Sequence, residues 1–319
     1  GGSTTLTGVS SYTGATTITS GTLALSGAGS IAASSGVAND GTFDISATDT
    51  GASITTLSGS GSTVLGSKAL TLTAQTGTFA GVIDGAAGAL NVAGNGAWTL
   101  EGAGSQIGAL NVQRGTLELA SGASVVTQNA TVAAGAILRN DGTLTGTTGN
   151  DSLALAGTFV GTMSFLDGDD HLQITEGANF LEAAFDGGAG SDTLELIYNS
   201  SLTWSDTFAV TDFEQLIKRG QGELILSGTV DTFSDSITVA EGNVRLSGAN
   251  IVTNEFRIEQ GVGMTGSGSL SANFVNAGML SPGNSPGTIH VGGNYSQPAS
   301  GVLISETSRG GTDLLDAAG

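Results

Sequence analysis

The 319-residue chain sets 28 acidic side chains against eight basic ones, a formal net charge of −20, and holds 53 glycines, three prolines and no cysteine. This composition excludes disulfides and thiolate metal sites. It also argues against nucleic acid or anionic lipid as partners, because both need clustered Lys and Arg to displace counterions. Leu, Val, Ile and Phe alternate with small polar residues, which separates the chain from disordered sequences, and glycines interrupt every stretch long enough to read as helix.

Residues 1–145 are nearly pure repeat. The glycine-led pentapeptide Gly21-Thr-Leu-Ala-Leu25 returns as Gly41-Thr-Phe-Asp-Ile45, as Gly115-Thr-Leu-Glu-Leu119 and, beyond this region, as Gly222-Glu-Leu-Ile-Leu226. Gly88-Ala-Leu-Asn-Val92 and Gly108-Ala-Leu-Asn-Val112 are identical and lie 20 positions apart. In each unit the apolar residues sit at i and i+2, one face of a strand, and Gly, Asn and Asp between units supply the turns. A sandwich has no reason to repeat at fixed spacing, whereas a solenoid does, because each coil stacks on its predecessor. The expected fold is all-β, a parallel β-helix (β-solenoid) with about 20 residues per coil. At a strand spacing of about 4.8 Å that makes roughly 16 coils and a rod about 75 Å long, with parallel strands throughout. Leu90 is expected over Leu110 inside, and Trp98 in the core. Asn91 and Asn111 are expected outside as a hydrogen-bonded binding ladder.

Residues 146–221 form a variant segment richer in acids and aromatics. Gly187-Gly-Ala-Gly-Ser-Asp-Thr-Leu-Glu195 resembles the calcium-binding nonapeptide of RTX β-rolls, with looser relatives at 146–154 and 165–173. Asp151, Asp170 and Asp192, with Gly188 and Gly190, are therefore candidate calcium-site residues, about one coil apart. The competing reading is that Gly-Asp turns make tight solvated corners. Asp167, Asp169, Asp170 and His171 raise a polysaccharide hydrolase or lyase as an alternative, since paired carboxylates perform glycoside cleavage. The supporting motifs of such enzymes are absent, and with only two histidines a serine triad has little to draw on, so no enzyme activity is expected. Trp204, beside Asp206, is read as either a partly exposed platform for a sugar ring or a capped core edge. Lys218-Arg219 reads as a structural turn.

Over 222–319 the repeat resumes with Gly242-Asn-Val-Arg-Leu246. Two Pro-Gly steps within Leu280–Thr288 read as a rigid surface turn. The tail to Leu315 returns to strand pattern with an open edge, as expected of a piece of a longer chain.

Gly14-Ala-Thr-Thr-Ile-Thr-Ser-Gly-Thr-Leu-Ala-Leu25 resembles the passenger-associated repeat of Gram-negative autotransporters (type V secretion), and Leu280–Gln297 resembles the signature near the C-terminal end of their passengers. The resemblance implies a right-handed parallel β-helix at the bacterial cell surface or in the extracellular space, tied to a membrane only through a C-terminal barrel not in this sequence. It further implies an adhesin or self-associating module whose partners are copies of itself or host and matrix surface molecules. No cofactor is expected apart from the candidate calcium, which would make a calcium-stabilised stalk.

Overall fold

A computed structural model describes residues 1–319 apart from 75, 181, 205–207, 284–286, 309–310 and 318–319. Asn284, Ser285 and Pro286 of the Pro-Gly segment, and Asp206 beside Trp204, lie outside the described residues. Among the described residues every regular element is a strand, and no helix is long and apolar enough to cross a membrane. The strands stack in parallel as coils of a β-solenoid, in two compact units: Gly1–Asp167 with Gly177–Phe185, and Gly168–Glu176 with Asp186–Gly319.

In the first unit the register follows the sequence spacing. Leu70 pairs with Leu90, Leu90 with Leu110 and Leu110 with Ala130, so one inward column climbs the coils, and Leu72, Val92, Val112 and Val132 make the next. All are buried. A leucine taken fully out of water contributes about 1.5–3 kcal/mol, and such columns replace the cross-links the chain lacks. Trp98 is fully buried, and its indole Nε1 donates to the Leu57 carbonyl at 2.8 Å.

The corners between strands are built on a column of glycines 20 or 21 residues apart: Gly21, Gly41, Gly61, Gly81 and Gly102. A Cβ at Gly61 would stand 2.1 Å from the Gly41 carbonyl oxygen, at Gly81 1.9 Å from that of Gly61, and at Gly102 1.8 Å from that of Gly81. Glycine recurs here because the coil below leaves no room for a side chain.

The second unit keeps the plan with coils that shorten along the chain, from 22 residues to 18 between Leu194 and Phe274. Leu194 pairs with Leu216, Leu216 with Ile237, Ile237 with Phe256 and Phe256 with Phe274. Phe256, Phe274 and Tyr295 extend the column as a ring stack with centroids 5.8 and 5.6 Å apart. Parallel pairing is not universal, contrary to the expectation from the repeat. Thr307–Ser308 pairs antiparallel with Gly311–Thr312, and parallel strands need a crossover of about a dozen or more residues, which their closeness in sequence does not allow.

Candidate functional site

Because Leu70, Leu90 and Leu110 point inward, their neighbours Thr71, Asn91 and Asn111 point outward. Asn111 Nδ2 donates to Asn91 Oδ1 at 2.9 Å, and Asn91 Nδ2 donates to Thr71 Oγ1 at 3.2 Å. Thr131 pairs above Asn111 and continues the row. The adjacent outward row is Ala69, Ala89, Ala109 and Asn129, beside a shallow groove of about 240 Å³. Neither row carries a charge, and the charged side chain lining the groove is the cation Lys68. Other outward rows differ: Ser3, Thr22, Thr42 and Ser62 form a second uncharged one, whereas Glu118 stands beside Arg139 as a charged pair. On a chain of net charge −20 an uncharged face is where another surface meets least Coulomb repulsion.

The Gly-Asp turns of the second unit stack with a 22-residue offset. The Asp170 amide donates to Asp192 Oδ1 at 2.7 Å, and the Asp192 amide donates to Glu214 Oε2 at 2.8 Å. Each turn is thus capped by an acid of the following coil. Glu214 belongs to this row and was missed by the sequence reading, although it sits 22 positions after Asp192. Gly188 and Gly190 supply positive φ in the Asp192 turn, 97° and 149°. A Cβ at Gly190 would lie 1.7 Å from the Gly168 carbonyl oxygen. Asp151 belongs to the first unit, where its carboxylate closes on its own turn and accepts from the Thr147 amide at 2.6 Å and the Thr147 hydroxyl at 2.9 Å. Burial pushes its carboxyl above the usual range, against those two hydrogen bonds. Among the described residues no group of three or more His, Asp or Glu side chains is arranged to hold a metal ion, so calcium at this row would have to draw on backbone carbonyls.

Asp192 is fully buried and its Oδ2 has no hydrogen-bond partner. Burial raises its pKa, the Asp170 amide opposes, and the charges of Glu214, Asp169 and Asp186 raise it further. A carboxyl raised in the folded state stabilises the fold when protonated, and that stability is lost as pH climbs from 3.8 through the folded value. Asp192→Asn should therefore melt higher than the natural chain at pH 7, and the gap should close as pH falls toward 4. A lower-melting variant at pH 7, or a natural chain whose midpoint drops on chelation, would instead assign the row to a bound cation.

The acids raised as a hydrolase pair do not open together on a groove. Asp169 is exposed and accepts from the Ser191 amide at 3.1 Å, whereas Asp170 is buried in the turn. His171 lies 3.4 Å from Glu195, which also accepts from Arg219 Nε at 2.5 Å and Gln173 Nε2 at 2.7 Å. Burial alone would push the Glu195 carboxyl up, but Gln173, Arg219 and the charge of His171 hold it below its usual range. Trp204 is not an exposed platform. It pairs with Leu226, faces inward at 3% exposure, and packs against Phe208 and Phe233 at centroid distances of 5.0 and 5.3 Å.

The passenger-associated-transport-repeat family matches residues 1–25, 90–119 and 216–246. Each match ends on a glycine-led strand, at Gly21–Leu25, Gly115–Leu119 and Gly242–Leu246. Each leading glycine is in the left-handed region, with φ of 77°, 62° and 78°. The chain carries passenger-associated transport repeats. Comparison with curated proteins and with solved structures gave no match.

The third repeat holds a residue whose role the sequence reading missed. Lys218-Arg219, read there as a turn, lies on the strand Gln215–Arg219, and alternation turns Lys218 into the core between Leu196 and Val239. Lys218 is fully buried and its Nζ donates to the carbonyls of Gly220, Gly222 and, at 3.1 Å, Glu241. Burial pushes its pKa down, with the Glu241 charge opposing. The i, i+2 spacing of Leu216 and Lys218 was the available signal, obscured because a charged side chain is rarely inward.

Proposed function

We propose that the chain is the repeat-bearing passenger of an autotransporter, acting at the bacterial cell surface or outside the cell as an adhesive or self-associating module. The observation that carries this reading is the uncharged double row of the first unit, Thr71, Asn91, Asn111 and Thr131 beside Ala69, Ala89, Ala109 and Asn129. Small side chains let a second backbone come close, and amides present both donors and acceptors. Each hydrogen bond across such a face contributes only about 0.5–1.5 kcal/mol, but a solenoid repeats the contact coil after coil. The passenger repeats support the setting, a module delivered to the cell exterior.

The test is to charge the face without unstacking it. Asn91→Lys together with Asn111→Glu places an opposite-charge pair where the two amides now meet, and should leave the melting midpoint within a few degrees. Cells displaying this variant should clump, or attach to matrix-coated surfaces, at least about tenfold more slowly, the factor expected for the loss of roughly 1.4 kcal/mol of contact. If clumping and attachment persist unchanged in a folded variant, the adhesive role of this face is wrong.

A further inference from the structure

We infer that the second unit holds a saccharide-binding cleft, formed by Phe208, Thr211, Thr229, Asp231 and Thr232 over the buried Trp204. The cleft is about 410 Å³, within the range of about 300–1,000 Å³ typical of small-molecule sites. Its floor is apolar, made by Trp204 and Val210, both buried. Its rim is polar: Thr211, Thr229 and Asp231 are exposed, and Thr232 and Phe208 are half-buried.

Local backbone geometry keeps the cleft open. In the strand Ala209–Thr211 the Val210 amide donates to the Phe208 carbonyl at 2.9 Å, a three-residue turn, and Asp212 follows with φ of 54°. Phe208, just before this bend, meets the Trp204 ring edge-on at 5.0 Å, and three threonines line the same cleft.

The donor set selects the ligand. A sugar ring offers an apolar C–H face and a circle of vicinal hydroxyls that both donate and accept. Phe208 supplies the apolar wall, three threonine hydroxyls can each donate and accept, and the Asp231 carboxylate accepts from two neighbouring hydroxyls at once. Among the described residues no Lys or Arg lines the cleft, and the chain carries −20, so a phosphate, sulfate, sialate or uronate would meet repulsion there. The chemistry fits a neutral or amine-bearing glycan. The inference deepens the adhesive reading by naming a class of partner, and rests on it only for the setting in which the glycan is met.

The experiment titrates the purified chain with cellotriose, chitotriose, the trimer of glucosamine, and trigalacturonate as the acidic control. Only two tryptophans are present, and Trp98 is sealed in the first unit, so a ligand-dependent change in emission reports Trp204. At least one neutral or aminated trimer should shift the emission and receive saturation transfer from protein methyls, while trigalacturonate does neither. Asp231→Ala and Thr229→Val replace exposed side chains and should keep the melting midpoint while weakening binding at least about tenfold. Absence of binding by every neutral and aminated trimer overturns the proposal. So does equal binding by both variants, or trigalacturonate binding as well as the others. Soluble-sugar binding and cell clumping are read separately, so a failed cleft leaves the adhesive reading standing and a failed adhesive face leaves the cleft standing.

Discussion

Lys218→Met should lower the unfolding free energy of the second unit by about 1–3 kcal/mol, read from urea denaturation. The substitution keeps an unbranched chain of similar volume in the column between Leu196 and Val239 but removes the donor to the Gly220, Gly222 and Glu241 carbonyls. A buried acceptor left without a donor costs about 1–3 kcal/mol, and the Gly220 carbonyl is the one so left, since Gly222 also accepts from the Asn243 amide at 3.4 Å and Glu241 is exposed to water. Working the other way, an apolar replacement no longer holds a charge away from water, which in other proteins has made such exchanges neutral or stabilising. The lysine wins here because its ammonium has three donors and finds three carbonyls. Its pH signature has a definite sign. With the folded pKa below 10.5, the folded state releases its proton first, so the natural chain gains stability over the methionine variant as pH rises from the folded value toward 10.5. A methionine variant that is equally stable, with no pH-dependent difference, would show that the carbonyl cage contributes nothing net.

Gly81→Ala should destabilise the first unit by about 2–4 kcal/mol, as much as deleting a large core side chain, for the opposite reason of overpacking. The added methyl would fall 1.9 Å from the Gly61 carbonyl oxygen and 2.6 Å from Phe79 Cζ. The phenyl ring can shift, but the carbonyl belongs to the coil below and moves only if the two coils part. Alanine at Gly14, where a Cβ meets nothing within 4 Å, is the control and should be near neutral. Matching midpoints for the two variants would mean that the glycine column reflects composition alone rather than close stacking.

The parallel coils, the inward leucine columns and the outward Asn91–Asn111 row were legible from the chain alone. Alternation at i, i+2 and a 20-residue spacing are local and periodic, and a repeat that buries one face has few ways to stack. The left-handed glycines that lead the last strand of each passenger repeat were legible as turn signals for the same reason. What Asp170, Asp192 and Glu214 do was not, because that depends on which amide of the neighbouring coil arrives beneath each acid once the coil lengthens to 22 residues. The directions of Lys218 and Trp204 were hidden likewise. Composition places a lysine outside and leaves a tryptophan near polar residues ambiguous, whereas the register of Leu196 and Val239 around the one, and of Leu226 beside the other, draws both inward. Periodicity in the sequence thus determined how the backbone winds. Only the stacked structure decided which polar groups meet between coils, since such meetings on neighbouring coils join residues from 18 to 26 apart through offsets that no single repeat encodes.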